Sequence, residues 1–306
     1  MSSPARPLRI TVTGASGFLG SALVLALRAD GHTVVPLVRS ANSPGAARWD
    51  PATGQLDEQA LGAIDAVVHL AAENVVGRWT TAKKQKLRES RIGVTERLCR
   101  SLAALTPRPR VLVAASGTGF HGDCGDRLVD ETSPAGNDFL GELAAAWEGA
   151  TAPAAAAGLR VVNLRFGMVL DPSGAALQKM LPAFRLGLGG RLGSGRQWTP
   201  WISRRDAVAA IRFAIERDAL RGPVLAVAPE AVTNRDFTRA LGKALRRPTI
   251  LPVPAFVLRL LFGEMASMLL TGQRAVPKQL LAAGFPFADA QLAPALQHLL
   301  RPTAGT

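Results

Sequence analysis

The sequence predicts an α/β fold: a doubly wound parallel sheet with a small C-terminal domain. Three observations carry that prediction. Short apolar runs alternate with longer helical stretches, the pattern of strands joined by crossover helices. The first run, Leu8–Thr13, flows straight into Gly14-Ala15-Ser16-Gly17-Phe18-Leu19-Gly20 and then into a helix. The length, 306 residues, suits one large domain or a nucleotide domain with a smaller cap.

Taken in order, Leu8–Thr13 is short, β-branched and suited to a buried parallel strand. Ser21–Arg28 reads as a helix stopped by Asp30-Gly31, and Thr33–Val38 as the second strand. Further strands are expected at Ala66–Leu70, Arg110–Ala115, Leu159–Arg165 and Gly222–Ala228, with helices over Ala82–Ala104 and Phe139–Ala157. Val253–Leu270 is the most apolar stretch. Arg259, Gly263 and Glu264 interrupt it, so it reads as a buried or capping helix and not as a membrane span. The expected organisation is a nucleotide domain over 8–169, completed by 200–228, and a substrate domain over 170–199 and 229–301.

The glycines sit where a strand turns into a helix. Gly14 permits the tight turn, Gly17 lets backbone approach a pyrophosphate, and Gly20 lets helix pack on strand; the helix N-terminus offers free N–H groups to phosphates. Ser16, Phe18 and Leu19 belong to the same turn. The spacing is G-x-x-G-x-x-G, a loose match to the general dinucleotide fingerprint. The second strand ends at Arg39-Ser40 with no carboxylate for a ribose 2′-hydroxyl, and an arginine there accommodates a 2′-phosphate. NADP(H) is therefore the expected cofactor of a Rossmann-type domain.

A formal charge of +13 invites a nucleic-acid reading, but the arginines are scattered and aromatic residues are only 5 % of the chain, too few for stacking platforms. Lys83-Lys84-Gln85-Lys86 reads as a solvated helix face. No specific nucleic acid and no membrane is expected as a partner; a small-molecule substrate is, and a homodimer is open. Cys99 and Cys124 are too few and too far apart for a disulfide framework or a metal site. Met1–Pro7 has no apolar core of a secretory signal, so a cytoplasmic location is expected.

Further segments carry a family likeness. They are His69-Leu70-Ala71-Ala72-Glu73-Asn74, Arg78-Trp79-Thr80, Arg88-Glu89-Ser90-Arg91, Asp138-Phe139-Leu140, Trp147-Glu148, the loop Gly189–Trp198, Pro277-Lys278 and Gly284-Phe285. From about Leu8 to Leu300 the chain resembles the atypical extended short-chain dehydrogenase/reductases called the "epimerase family". The resemblance implies an NADP-binding Rossmann domain and a small C-terminal substrate domain, and little about chemistry. In the broader superfamily a serine after the fifth strand orients the substrate, and a tyrosine with a lysine four residues on transfers the proton. Ser116 occupies the serine position, whereas the pair falls on Phe139 and Leu143. The chain has no tyrosine at all, and the family's Gly-Tyr-Tyr-Gly stretch reads Gly119-Phe120-His121-Gly122.

His121, just beyond Ser116, is the candidate replacement acid; the alternative is a loop histidine making a local hydrogen bond. Asp123 can orient it, and Cys124 reads as a small buried side chain. Glu73, next to Leu70, Ala71 and Ala72, can serve as a base or as a cap. Ala115, Ser116 and the run Arg165-Phe166-Gly167-Met168 should line the cofactor by position, and Asp50 lies near the adenine by the family pattern. Arg191, Arg196, Gln197, Trp198 and Trp201 form the densest polar-aromatic cluster, suited to a planar or anionic substrate or, equally, to packing the cap on the sheet. Where extended members show Ile-His followed by an Asp, this chain has Ile202-Ser203-Arg204-Arg205-Asp206. Two functions follow as expectations. One is an oxidoreductase or epimerase acting on a small carbonyl or hydroxyl substrate, with Ser116 and His121 catalytic and no metal. The other is a non-catalytic NADP(H)-binding sensor or scaffold.

Overall fold

Runs of β-branched and small apolar residues form β1 (Arg9–Thr13), β2 (Thr33–Val38), β3 (Ala47–Arg48), β4 (Ala66–His69), β5 (Val111–Gly117), β6 (Leu128–Val129), β7 (Arg160–Phe166), β8 (Met168–Leu170), β9 (Trp201–Ser203), β10 (Gly222–Ala226) and β11 (Arg274–Ala275). The structure, a computed structural model, describes residues 6–39 and 44–301. Seven strands pair in parallel in the order β10-β7-β5-β4-β1-β2-β3. The chain thus winds outward from β1 to β3, crosses back to β4 and winds the other way. The reversal lies between β1 and β4, which register Ile10 on Ala66 and Thr13 on His69.

The helices are α1 (Phe18–Ala29), α2 (Glu58–Leu61), α3 (Thr81–Arg88), α4 (Val94–Ala104), α5 (Phe139–Gly149), α6 (Ala152–Ala156), α7 (Ala175–Arg185), α8 (Arg204–Glu216), α9 (Asn234–Leu245), α10 (Ala255–Phe262), α11 (Ser267–Leu270), α12 (Lys278–Ala282) and α13 (Leu292–Leu299). Helices α1 and α8 cover one sheet face, where Leu23, Leu27, Ile211 and Ile215 meet Ile10, Val12, Val68 and Val113. On the other face Leu98, Cys99 and Leu102 of α4 and Ala154 of α6 meet Val35, Val67 and Leu112. Central strands are therefore apolar on both sides, as buried parallel strands must be. A second core gathers Leu177, Leu181 and Phe184 of α7 with Trp201, Phe237, Leu241, Leu292 and Leu296.

Three expected helices differ from their sequence reading. Ala82–Ala104 is interrupted by a π-helical turn at Glu89–Gly93. A Cβ on Gly93 would lie 2.7 Å from the Glu89 carboxylate, so the turn closes around a glycine. Phe139–Ala157 breaks after Gly149 and restarts at Ala152-Pro153, because proline suits the first turn of a new helix and not the interior of an old one. Val253–Leu270 is not one buried helix. It turns at Gly263, whose φ is +60°, and only Leu258 of α10 is buried.

Candidate functional site: the crevice at the strand ends

The turn after β1 is built by its glycines. Gly14 has φ +69°, and the Gly17 amide donates to its carbonyl at 2.9 Å. A Cβ on Gly20 would lie 2.0 Å from that same carbonyl, so only glycine lets α1 start this close to β1. On Gly17 a Cβ would meet only the Gly14 carbonyl, at 3.1 Å, with open space beyond. Helix α1 has no capping side chain and no acidic residue in its first turn. Its first amides and the positive dipole end therefore face outward over an unobstructed glycine, an arrangement that fits a pyrophosphate.

Around this turn the expected cofactor contacts take up definite positions. Ser16 is exposed, and Phe18 and Leu19 are half-buried on α1. The Arg204 guanidinium stacks 4.6 Å from the centre of the Phe18 ring and donates to the Phe18 carbonyl. Arg39 is exposed at the end of β2, and Ser40 lies outside the described residues. Pairing of Val38 with Arg48 brings Asp50 to the same end of the sheet. There its carboxylate accepts from the Ala52 amide at 2.8 Å, which holds its pKa below the usual range.

Thr13 fixes the facing wall. Its hydroxyl accepts from the Leu70 and Ala71 amides at 3.1 and 3.2 Å. With both lone pairs used, its proton goes to His69 Nδ1 at 2.7 Å. His69 Nε2–H then donates to Thr95 on α4, which also receives the Trp147 indole N–H from α5. His69 is wholly buried, and burial pushes its pKa down to about 4. Beyond Ala72, Glu73 pairs with Lys83 at 2.6 Å, and Arg91 and Ser90, carried by the π turn, hold its backbone. The Lys83 ammonium lowers the Glu73 pKa, which suits an ion pair and not a proton-accepting base.

The two catalytic candidates point elsewhere. Ser116 and Arg165 are register partners of β5 and β7 and face α5 together. The Ser116 hydroxyl donates to Glu148 Oε1 at 2.7 Å, and Arg165 grips the same carboxylate with two hydrogen bonds of 2.8 Å. His121 is 2 % exposed. Its Nδ1–H donates to the Pro134 carbonyl at 3.2 Å, which leaves Nε2 to accept from Arg165 at 3.3 Å. Burial, then Arg165, push its pKa down to about 4. This corrects both assignments: Ser116 spends its one proton on Glu148, and His121 is a neutral imidazole with both nitrogens engaged. The position that does open is the next one, Gly117. It is extended, at φ −144°, and a Cβ there would meet nothing closer than the Phe166 carbonyl at 3.9 Å.

Phe139 and Leu143, at the expected tyrosine and lysine positions, pack with Trp79, Leu87 and Met265. Lys84 lies 4.7 Å from the Phe139 ring centre and pairs with Glu264 at 2.6 Å, so the C-terminal segment reaches over this cluster. Ala115 and Phe166 are half-buried at the ends of β5 and β7, and Gly167 and Met168 carry the chain into β8. Gly167 is obligatory, since a Cβ would lie 2.7 Å from the Pro200 carbonyl.

The substrate-loop residues do not converge. Trp201 is 1 % exposed, sits in the second core and donates to the Glu230 carbonyl, so its assignment to substrate is corrected to packing. Gln197 gives both amide hydrogens to the Leu192 and Leu269 carbonyls and likewise ties the loop together. Trp198 donates to Asp126 under the Arg274 guanidinium. Arg191 and Arg196 are exposed.

Comparison with known proteins gives this geometry its context. A profile described as the NAD dependent epimerase/dehydratase family matches residues 10–228. The chain belongs to that family. Residues 253–299 match a domain of unknown function, DUF1731. "Epimerase family protein Mb2239" of Mycobacterium bovis is 47 % identical over 281 residues, 91 % of this chain and 93 % of that one. The human "Epimerase family protein SDR39U1" is 36 % identical over 298 residues, covering 96 % of this chain and all of its own. A crystal structure of that human protein (isoform 2) with NADPH superposes with a TM-score of 0.87 at 34 % identity, over 95 % of this chain and 99 % of the other.

Within this family member, sequence reasoning missed Glu148 as the hub of the buried network, although Trp147-Glu148 was visible as a motif. It also missed Gly117 as the open position and Thr13 as the wall's anchor. A buried threonine at the end of a strand that leads into a glycine turn was the available signal for the last.

Proposed function

We propose that the chain is an NADP(H)-dependent oxidoreductase or epimerase acting on a small carbonyl- or hydroxyl-bearing molecule. The observation that carries the proposal is the uncapped first turn of α1 over Gly17, at the strand-order reversal, with Arg39 at the end of the neighbouring strand. The NADPH named with the human relative's structure supports the same choice of cofactor. The dinucleotide, when bound, supplies the two-electron chemistry as a hydride donor or acceptor. The chain's residues do the rest. Gly14, Gly17 and the α1 amides seat the phosphates, Arg39 meets the 2′-phosphate, and the Thr13–His69 network holds Leu70 and Ala71 as the wall. Ser116 and His121 shape the wall from behind and exchange no proton with substrate. With Phe139 and Leu143 apolar, the proton comes from water or from the substrate's own groups. The second reading, a dinucleotide-responsive sensor, is favoured by one observation, the packing of those two positions against Trp79 and Met265. The deciding experiment is NADPH oxidation across a panel of aldehydes, ketones and enones, with NADPH affinity measured in parallel. Turnover on any of them supports the enzyme; tight NADPH binding with none transfers support to the sensor.

A further inference from the structure

The C-terminal part of the chain carries an apolar surface that the dinucleotide crevice does not use. Phe256 and Leu260 each lie two residues from the buried Leu258, about 200° round α10 from it, and are 69 % and 72 % exposed. The segment before α10 adds Ile250, 80 % exposed, and Leu251. The segment after α7 runs beside it: the Val253 amide donates to the Arg191 carbonyl at 2.8 Å, and Gly187 lies against Pro248. Exposed Leu186 and Leu188 therefore adjoin the same surface.

The two segments that form this surface carry charge of one sign. Residues 185–191 and 243–260 carry Arg185, Arg191, Lys243, Arg246, Arg247 and Arg259, all exposed, and not one Asp or Glu. None of the six forms an ion pair among the described residues. A rim of this kind selects its occupant. A second copy docking two-fold would set the same arginines against one another. A protein partner would need a surface shaped to match these protruding side chains. An anionic bilayer needs no matching shape: it takes protruding aromatic and branched side chains at the acyl boundary and arginines at the headgroups.

We propose that the face formed by Leu186, Leu188, Ile250, Phe256 and Leu260, with its arginine rim, is a docking surface for an anionic phospholipid bilayer. The contact is peripheral; no helix among the described residues is long and apolar enough to cross a membrane.

The test is vesicle flotation of the full-length protein. Vesicles of phosphatidylcholine alone are compared with vesicles containing phosphatidylserine at roughly one part in three. Binding to the anionic vesicles at least tenfold stronger than to the neutral ones is expected, weakening as salt is raised. The pair Phe256→Ser and Leu260→Ser, and separately Arg246→Glu with Arg247→Glu, should each reduce it at least tenfold. Both variants should keep wild-type circular dichroism and NADPH affinity. Phe256→Trp should show a blue-shifted emission on anionic vesicles only. Equal binding to both vesicle types, or no binding to either, overturns the proposal. So does binding that survives Phe256→Ser and Leu260→Ser. Capture by an acidic polypeptide without vesicle binding would assign the face to a protein, and a wild-type dimer dispersed by the serine variants would assign it to a second copy; either result overturns the lipid reading.

Discussion

Arg165 and Glu148 meet as a buried fork, Nε on Oε1 and Nη2 on Oε2, each at 2.8 Å, with the Arg165 guanidinium also 3.4 Å from the centre of the Phe120 ring. The pair ties β7 to α5, and Ser116 and His121 hang on it. Removing one partner leaves a buried charge unmatched. Arg165→Met or Glu148→Leu alone should lower stability by about 3–5 kcal/mol, and the double variant should recover much of that loss. Urea denaturation of the three variants reads the difference. Additive losses in the double variant would mean that the fork is not a coupled pair.

Because His121 serves this fork, His121→Gln should reduce stability yet cost any turnover less than about tenfold, far short of the loss expected of a general acid. Gly117→Ser makes the complementary test. Its backbone is extended and the added atoms enter open space, so stability should change by no more than about 0.5 kcal/mol, while substrate affinity or turnover should move. Steady-state kinetics beside thermal melts separate the two variants.

The glycine turn makes two distinguishable predictions. Gly20→Ala forces a Cβ to 2.0 Å from the Gly14 carbonyl and should fail to fold stably. Gly17→Val should fold and lose NADPH binding, since its side chain takes the phosphate's place. Circular dichroism with fluorescence titration checks both, and retained binding in folded Gly17→Val would move the phosphates elsewhere.

Arg39→Ala should weaken NADPH roughly 10–100-fold, the worth of one charge-assisted hydrogen bond, and leave NADH unchanged. Titration of both nucleotides against both proteins decides it. Equal wild-type affinities would remove the 2′-phosphate role of Arg39.

His69 has a pH consequence. Its folded pKa is depressed to about 4, against about 6.5 unfolded. Within that window the unfolded chain binds a proton that the native state refuses, so stability is full above pH 6.5 and is lost as pH falls toward 4. Between pH 7 and 5 the loss should be about 2 kcal/mol from this residue, with His121 adding a similar share. Denaturation curves for wild type and His69→Gln at the two pH values should show a shallower decline in the variant.

The parts of the site that were legible in the sequence are those whose cause is local. Gly14 and Gly20 announce a turn because a side chain does not fit there, and β1 and β2 were legible nearly to the residue. Ser116 was mis-aimed for a physical reason: Val111 to Ala115 is apolar on both sides, so alternation does not reveal which face the next residue takes, and one position exchanges the crevice for α5. Trp201 was misread because an aromatic near arginines looks the same whether it waits for a ligand or fills a core; the decisive neighbours, Phe237 and Leu292, are distant in sequence. The π turn at Glu89–Gly93 left no periodic trace, since α3 before it is mostly polar and offers no apolar stripe against which one extra residue would show.

The second core also sets a timetable. Leu292 and Leu296 of α13 lie about 120 residues after Leu177 of α7, with which they share that core. At a synthesis rate of roughly 5–20 residues per second, α7 is made roughly 6–24 s before α13. In that interval Phe237 and Leu241 of α9 are made and can join Leu177, Leu181 and Phe184, before Leu292 and Leu296 complete the same core. The core that joins α7, α9 and α13 is therefore complete only once the last of these helices has been made.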